Sequence, residues 1–284
     1  MPRPQSPYRG PNILETTNGL AWGCLHEFLG IDILEKLVFH EQGVGKFKSN
    51  FLRPSSAKSI EEGWVISERT ILLAEAMYYL QDVTGFEHIL SQMRDGRVES
   101  VYSELLIAQI LWRAEDTFRF VLPKGRKGED YDLEIRLPEG SWVAGETKSK
   151  LPSTAVTSKT VFNSLDIARD QVPSDRPSIV FLQIPGTWVW PPKDDDPVVT
   201  GIEKFFASGN SRIAAVFVHA VLTLPQSEFS DKNWQSHVLE KRVNPRCRFT
   251  SSSQWGILRR ASPRVKWDSF YHLIDPSAWR SNFP

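Results

Sequence analysis

Apolar positions recur at helical spacing from Ile13 to Leu90. Leu25, Leu29, Ile33 and Leu37 form one stripe; Ile71, Leu72, Ala76 and Tyr79 form a second, with Glu75 among them. That spacing predicts a helical N-terminal region over 1–95. The stretch GVGKFKSNFLRPSSAKS between the two stripes reads as a loop, and Ser59 and Glu62 stand where a capping box would start the helix that follows. The pattern changes after Asp95-Gly96. A strong helix over 98–114 leads into short β-rich runs at 118–122, 131–137 and 142–148, parted by the turn sequences LPKGRKGED and PEG. Three antiparallel strands in a meander are the economical reading. A helix over 158–171 follows, with Val161, Leu165 and Ala168 on one face and Pro173 closing it. The apolar run at 179–184 then reads as a buried strand. The Pro-rich acidic loop WVWPPKDDDPVV precedes a further strand at 214–222, which extends the same sheet. Helix, three strands, helix, strand is an α/β order, and it predicts a mixed sheet over 96–225.

Composition changes this picture little. A chain of 284 residues can bury a core without staples, and 40% hydrophobic with 24% charged residues is ordinary for a globular protein. Cys24 and Cys247 are the only cysteines and lie far apart, so neither a disulfide framework nor zinc-ligand spacing is present. The opening MPRPQSPYRGPN is polar and Pro-rich, and no run reaches membrane-spanning length. A soluble cytoplasmic protein is expected. Thirty-four basic against thirty-four acidic residues leave no overall field for a polyanion, so contact with nucleic acid requires a local patch. The segment 226–284 supplies a candidate. From Asp231 to Lys266 it holds nine Lys or Arg against Asp231 and Glu240, with Trp234, Phe249 and Trp255 interleaved and Trp267 nearby. Solvated charge around a few core aromatics would look the same.

The chemistry-bearing residues lie in the predicted meander. Residues two apart on a strand share a face, so Glu146 and Lys148 stand side by side with Thr147 turned away. On the preceding strand, Tyr131, Leu133, Ile135 and Leu137 form the apolar face and leave Asp132, Glu134 and Arg136 on the other. Asp132 can then meet Glu146 across the hairpin. Two carboxylates on adjacent strands make a hard-oxygen site for Mg²⁺ or Mn²⁺, and Lys148 is placed to orient a water or to stabilise charge on phosphorus. Glu104, one turn from Val101 and Ala108, can point from its helix toward the sheet as a further ligand. Glu129, Asp130 and Glu134 crowd the same hairpin and are rival ligands. A salt-bridged solvent face would carry these residue types too.

This order of residues resembles the PD-(D/E)XK nuclease superfamily, whose restriction-endonuclease-like αβββαβ core carries Glu on the first helix, Asp on the second strand and Glu-x-Lys on the third. Glu104, Asp132 and Glu146-Thr147-Lys148 match in order, and Gln171 in LDIARDQVP is similar to a Gln that several branches carry on the following helix. The resemblance covers roughly 97–185, and no proline precedes Asp132. It implies a Mg²⁺-dependent endonuclease acting on DNA, with Asp132, Glu146 and Glu104 as metal ligands and Lys148 and Gln171 in the catalytic set. Homo-oligomers or larger defence or recombination complexes are compatible with it. The alternative is a catalytically inactive nuclease-fold module for nucleic-acid binding or complex assembly. The six histidines show no metal spacing, GVGKFKSN lacks the Walker pattern and no nucleophile elbow occurs, which removes the kinase, GTPase and nucleophile-elbow hydrolase readings.

Overall fold

The computed structural model describes residues 13–39, 51–150, 154–189, 196–224, 234–249 and 270. The Pro-rich start, the GVGKFKSN segment, Pro191–Asp195 of the acidic loop, and Trp255, Arg259, Arg260, Arg264, Lys266 and Trp267 of the basic tail lie outside the described residues. The chain divides into two compact units: 1–82 with 89–109 and 263–284, and 83–88 with 110–262. The composition shift at Asp95-Gly96 and the packing boundary fall at different places.

The first unit is helical. It contains α1 (Ile13–Leu29), α2 (Ile31–Leu34), a π-helical turn (Glu35–Phe39), a 3-10 turn (Pro54–Ser56), α3 (Ile60–Leu80), most of α4 (Phe86–Arg94) and α5 (Val98–Arg113) as far as Gln109. On α1, Thr17, Ala21, Leu25 and Leu29 are buried at four-residue spacing, which is the stripe expected of an amphipathic helix. Ser59 caps α3 by accepting the Glu62 N–H at 3.2 Å, and the Glu62 carboxylate accepts the Lys58 N–H at 2.6 Å, one residue before the position a capping box uses. The helix predicted over 98–114 forms as α5, but every residue from Val101 to Gln109 is buried. Glu104 therefore lies inside this buried run, not at the edge of the apolar stripe.

The second unit is built on a six-stranded mixed sheet in the order β1-β2-β3-β4-β5-β6. The strands are β1 (Phe118–Phe120), β2 (Leu133–Arg136), β3 (Trp142–Ser149), β4 (Ser178–Pro185), β5 (Ile213–Leu224) and β6 (Trp234–Val243). The first three form the expected antiparallel meander, and the Gly140 N–H closes the β2–β3 turn on the Leu137 carbonyl at 2.8 Å, with Gly140 at φ +93. β3, β4 and β5 run parallel, and β6 returns antiparallel to β5.

Parallel neighbours require crossovers, and helices supply them. The first is α6 (Ser158–Gln171), capped by the Thr157 hydroxyl accepting the Thr160 N–H at 3.0 Å. The second crossover, of which 188–199 is expected to be loop, is partly helical. It contains α7 (Gly186–Val189) and α8 (Pro197–Ala207), and Asp196 caps α8 by accepting the Val198 N–H at 2.7 Å with Pro197 at the first helical position. The buried residues of α6 and α8 join Ala144, Val180, Leu182, Val216 and Val218 in one core cluster. β6, which falls within the basic, Trp-containing extension 226–284, is one edge of the sheet, and charge is how edge strands are kept from pairing with other chains.

Candidate functional site

Strand register sets the centre of the site. Leu133 lies opposite Gly145, so Asp132, one residue earlier, stands opposite Glu146. The Asp132 N–H reaches the Gly145 carbonyl at 3.1 Å, and the Thr147 N–H donates to the Asp132 carboxylate at 2.6 Å. Glu146 and Lys148 share the strand face of Ala144, which packs with α6 and α8, so the pair is not on an open solvent face. Glu146 is 1% exposed.

Lys148 joins strand to helix. Its Nζ donates to Glu146 Oε1 at 2.6 Å and to Gln171 Oε1 on the last turn of α6, while the Gln171 amide donates to the Asp130 carbonyl at 3.3 Å. Asp132, Glu146, Lys148 and Gln171 are thus brought together by β2, β3 and α6. Glu104 lies in the portion of α5 that belongs to the first unit and is buried there at 7% exposure. Among the described residues, no group of three or more His, Cys, Asp or Glu gathers to hold a metal ion.

The electrostatics of the pair follow from burial. Loss of water pushes the Asp132 carboxyl up to about 6, against the opposing pull of the Thr147 N–H and the Lys148 charge. Burial also raises Glu146, and the facing Asp132 charge raises it further, while Lys148 acts in the opposite direction. Glu146 Oε2 is buried without a hydrogen-bond partner. A buried oxygen in that state costs about 1–3 kcal/mol, which a proton or a cation would remove.

The rival carboxylates are engaged elsewhere. Glu134 accepts from the Tyr131 hydroxyl at 2.7 Å, from Arg119 Nε at 2.6 Å and from Arg176 Nη2 at 2.7 Å. Burial pushes Glu134 up, yet these donors outweigh it and hold the carboxyl below its usual range. Asp130 accepts the N–H groups of Lys124 and Gly125 at 2.7 and 2.8 Å, and Glu129 pairs with Lys124 at 3.0 Å. The expectation that Tyr131 shares the apolar face of Leu133 is corrected. A bend at Asp132 breaks the two-residue alternation, and Tyr131 joins the core cluster beside α6. Arg176 had no local signal, because its partners lie more than forty positions earlier in the chain. Arg119 was legible in principle as the cross-strand partner of Glu134.

The donor set fits a hard divalent cation. It offers two facing carboxylates, one with an unsatisfied buried oxygen, and Mg²⁺ commonly takes one or two carboxylates and keeps several waters. No helix among the described residues is long and apolar enough to cross a membrane. No family model matches this chain, and no curated protein matches it. One solved structure similar to it is that of Pyrococcus furiosus SfsA in complex with Ca²⁺. The two are 14% identical with a TM-score of 0.25, and the match covers 52% of this chain and 62% of that one. The match spans less than two thirds of SfsA, and a likeness that weak carries no argument about activity or ligand.

Proposed function

We propose that this chain is a metal-dependent nuclease of the PD-(D/E)XK type, with a restriction-endonuclease-like core, that hydrolyses phosphodiester bonds in DNA. The observation that carries the reading is the buried pair of Asp132 and Glu146, with Glu146 Oε2 lacking a partner and Lys148 beside it. The element order from α5 through β4 supports the same reading, since it runs helix, three strands, helix, strand. Asp132 and Glu146 hold Mg²⁺ or Mn²⁺, which when bound polarises the scissile phosphate and acidifies a water. Lys148 orients the attacking water and stabilises negative charge as it builds on the phosphate oxygens. Gln171 is a positioning residue: its carbonyl oxygen accepts from Lys148 Nζ and fixes where the ammonium points. Glu104 remains a proposed further ligand on the resemblance alone.

Incubation of the purified chain with plasmid and linear DNA, with and without Mg²⁺ or Mn²⁺, tests the assignment. The parent is expected to cut only with metal. Asp132→Asn and Glu146→Gln abolish cleavage, and Lys148→Ala loses cleavage while retaining metal binding. Parental cutting rates in Asp132→Asn would sink the proposal.

A further inference from the structure

The last turn of α6 faces two ways. Gln171 reaches the carboxylate pair through Lys148, whereas Arg169 and Asp170 enter a second polar cluster that the nuclease reading leaves unused. Arg169 pairs with Asp166 at 2.6 Å and with Asp170 at 3.1 Å, and donates to the Asn210 side chain at 3.1 Å. Asp170 also meets Lys127 at 3.1 Å and Arg212 at 3.8 Å. Arg248 is held beside this group by its backbone N–H, which donates to the Ser211 carbonyl at 2.8 Å.

Three cations, Lys127, Arg169 and Arg212, pair with two carboxylates, Asp166 and Asp170, and the charge of Arg248 acts on Arg212, so positive charge is left over. Arg212 registers the crowding. Burial lowers its pKa, and the charges of Arg169 and Arg248 lower it further against the pull of Asp170. One Arg212 N–H donates to the Arg169 carbonyl, while its buried Nε has no acceptor. A bound anion would offset the excess, and a local field of this sign draws polyanions even where the chain as a whole is neutral. Guanidinium forks match phosphate oxygens, and Arg248 lies 5.1 Å above the half-buried ring of Phe249, joining a cation to an aromatic face as nucleic-acid grooves do.

We infer that Lys127, Arg169, Arg212 and Arg248 form a subsite for the phosphodiester backbone of nucleic acid, which seats the strand beside the carboxylate pair. The inference rests on the proposed nuclease reading for its choice of polyanion. Contact there is made to phosphates, so it is blind to sequence.

The test uses the full chain carrying Glu146→Gln, so that binding is read without turnover. Association with a fluorescein-labelled DNA of mixed sequence, single-stranded and duplex, is followed by anisotropy as salt rises from about 50 to about 200 mM. Lys127→Ala with Arg248→Ala is expected to weaken binding and to lower the slope of log affinity against log salt by about two on duplex DNA. Lys127→Arg with Arg248→Lys keeps the slope. Lys127 is 77% exposed at its side chain, so Lys127→Ala alone folds and should lower the slope by about one. An unchanged slope in the alanine variants, or no binding by the Glu146→Gln chain, overturns the inference. Cleavage is scored separately on the otherwise unaltered chain. Metal-dependent cutting with an unchanged slope leaves the nuclease reading standing and the subsite refuted. A lowered slope with no cutting under Mg²⁺ or Mn²⁺ leaves the subsite standing and refutes the nuclease.

Discussion

At the scale of single residues, the carboxylate pair makes its own instability measurable. A carboxyl raised in the folded state stabilises the fold below its unfolded value, near 4, and loses that contribution as pH rises through the folded value. For Asp132 the window therefore runs from about 4 to about 6, and the metal-free protein carries the full penalty at pH 7 and above. Asp132→Asn should stabilise the metal-free chain by on the order of 2 kcal/mol near pH 7.5, and the gain should shrink as pH falls below 5. Thermal melts of parent and variant across that range check it, and a variant less stable than the parent at pH 7.5 would refute the charge argument. The placing of Asp132, Glu146 and Lys148 together was legible because a two-residue strand period and a hairpin are local facts. What sequence could not supply is the partner list: the engagement of Glu134 by Arg176 depends on chain folding back across more than forty positions.

Elements show the same division between local and distant information. α6 was read with the ends it has, because Thr157, the apolar spacing and Pro173 all lie within one stretch. α8 carries comparable marks, with Asp196 and Pro197 at its start and Val198, Ile202, Phe205 and Phe206 spaced along one face, but its first residues fall in the acidic Pro-rich run 188–199 that reads as loop, which hides the helix start. β6 had weaker marks, since an edge strand with charged residues lacks a clear alternation. The two crossover helices meet closely at Gly201. A Cβ there would lie 2.7 Å from that of Val161 and 2.8 Å from the Ser158 carbonyl oxygen. Alanine in place of glycine gains about 1 kcal/mol of helix propensity, but a carbonyl on the facing helix cannot swing away as a side-chain tip can. Gly201→Ala is therefore expected to destabilise the chain by about 1–3 kcal/mol, read as a melting temperature several degrees lower. Because α6 also carries Gln171, the variant should lower the rate of metal-dependent cleavage as well.

Across the whole molecule, a ligand that binds only the folded chain stabilises it by mass action, at about 2.7 kcal/mol when present at a hundred times its dissociation constant. Mn²⁺, and more weakly Mg²⁺, should raise the melting temperature with concentration, and the shift should vanish in the Asp132→Asn, Glu146→Gln double variant. Absence of any shift with either ion, together with no DNA cleavage, would favour the inactive-module reading. The shift should also grow with pH through 6, because ions compete with protons for the same oxygens. That competition gives the buried Glu146 oxygen a consequence outside the chemistry of DNA. With the Glu146 carboxyl raised by burial and by Asp132, a cation filling the proposed site would displace into the solvent whatever proton is held there. Metal uptake would then appear in a calorimeter as a heat that changes with the ionisation enthalpy of the buffer. A cell whose pH falls would, by the same exchange, empty the site without altering its supply of magnesium.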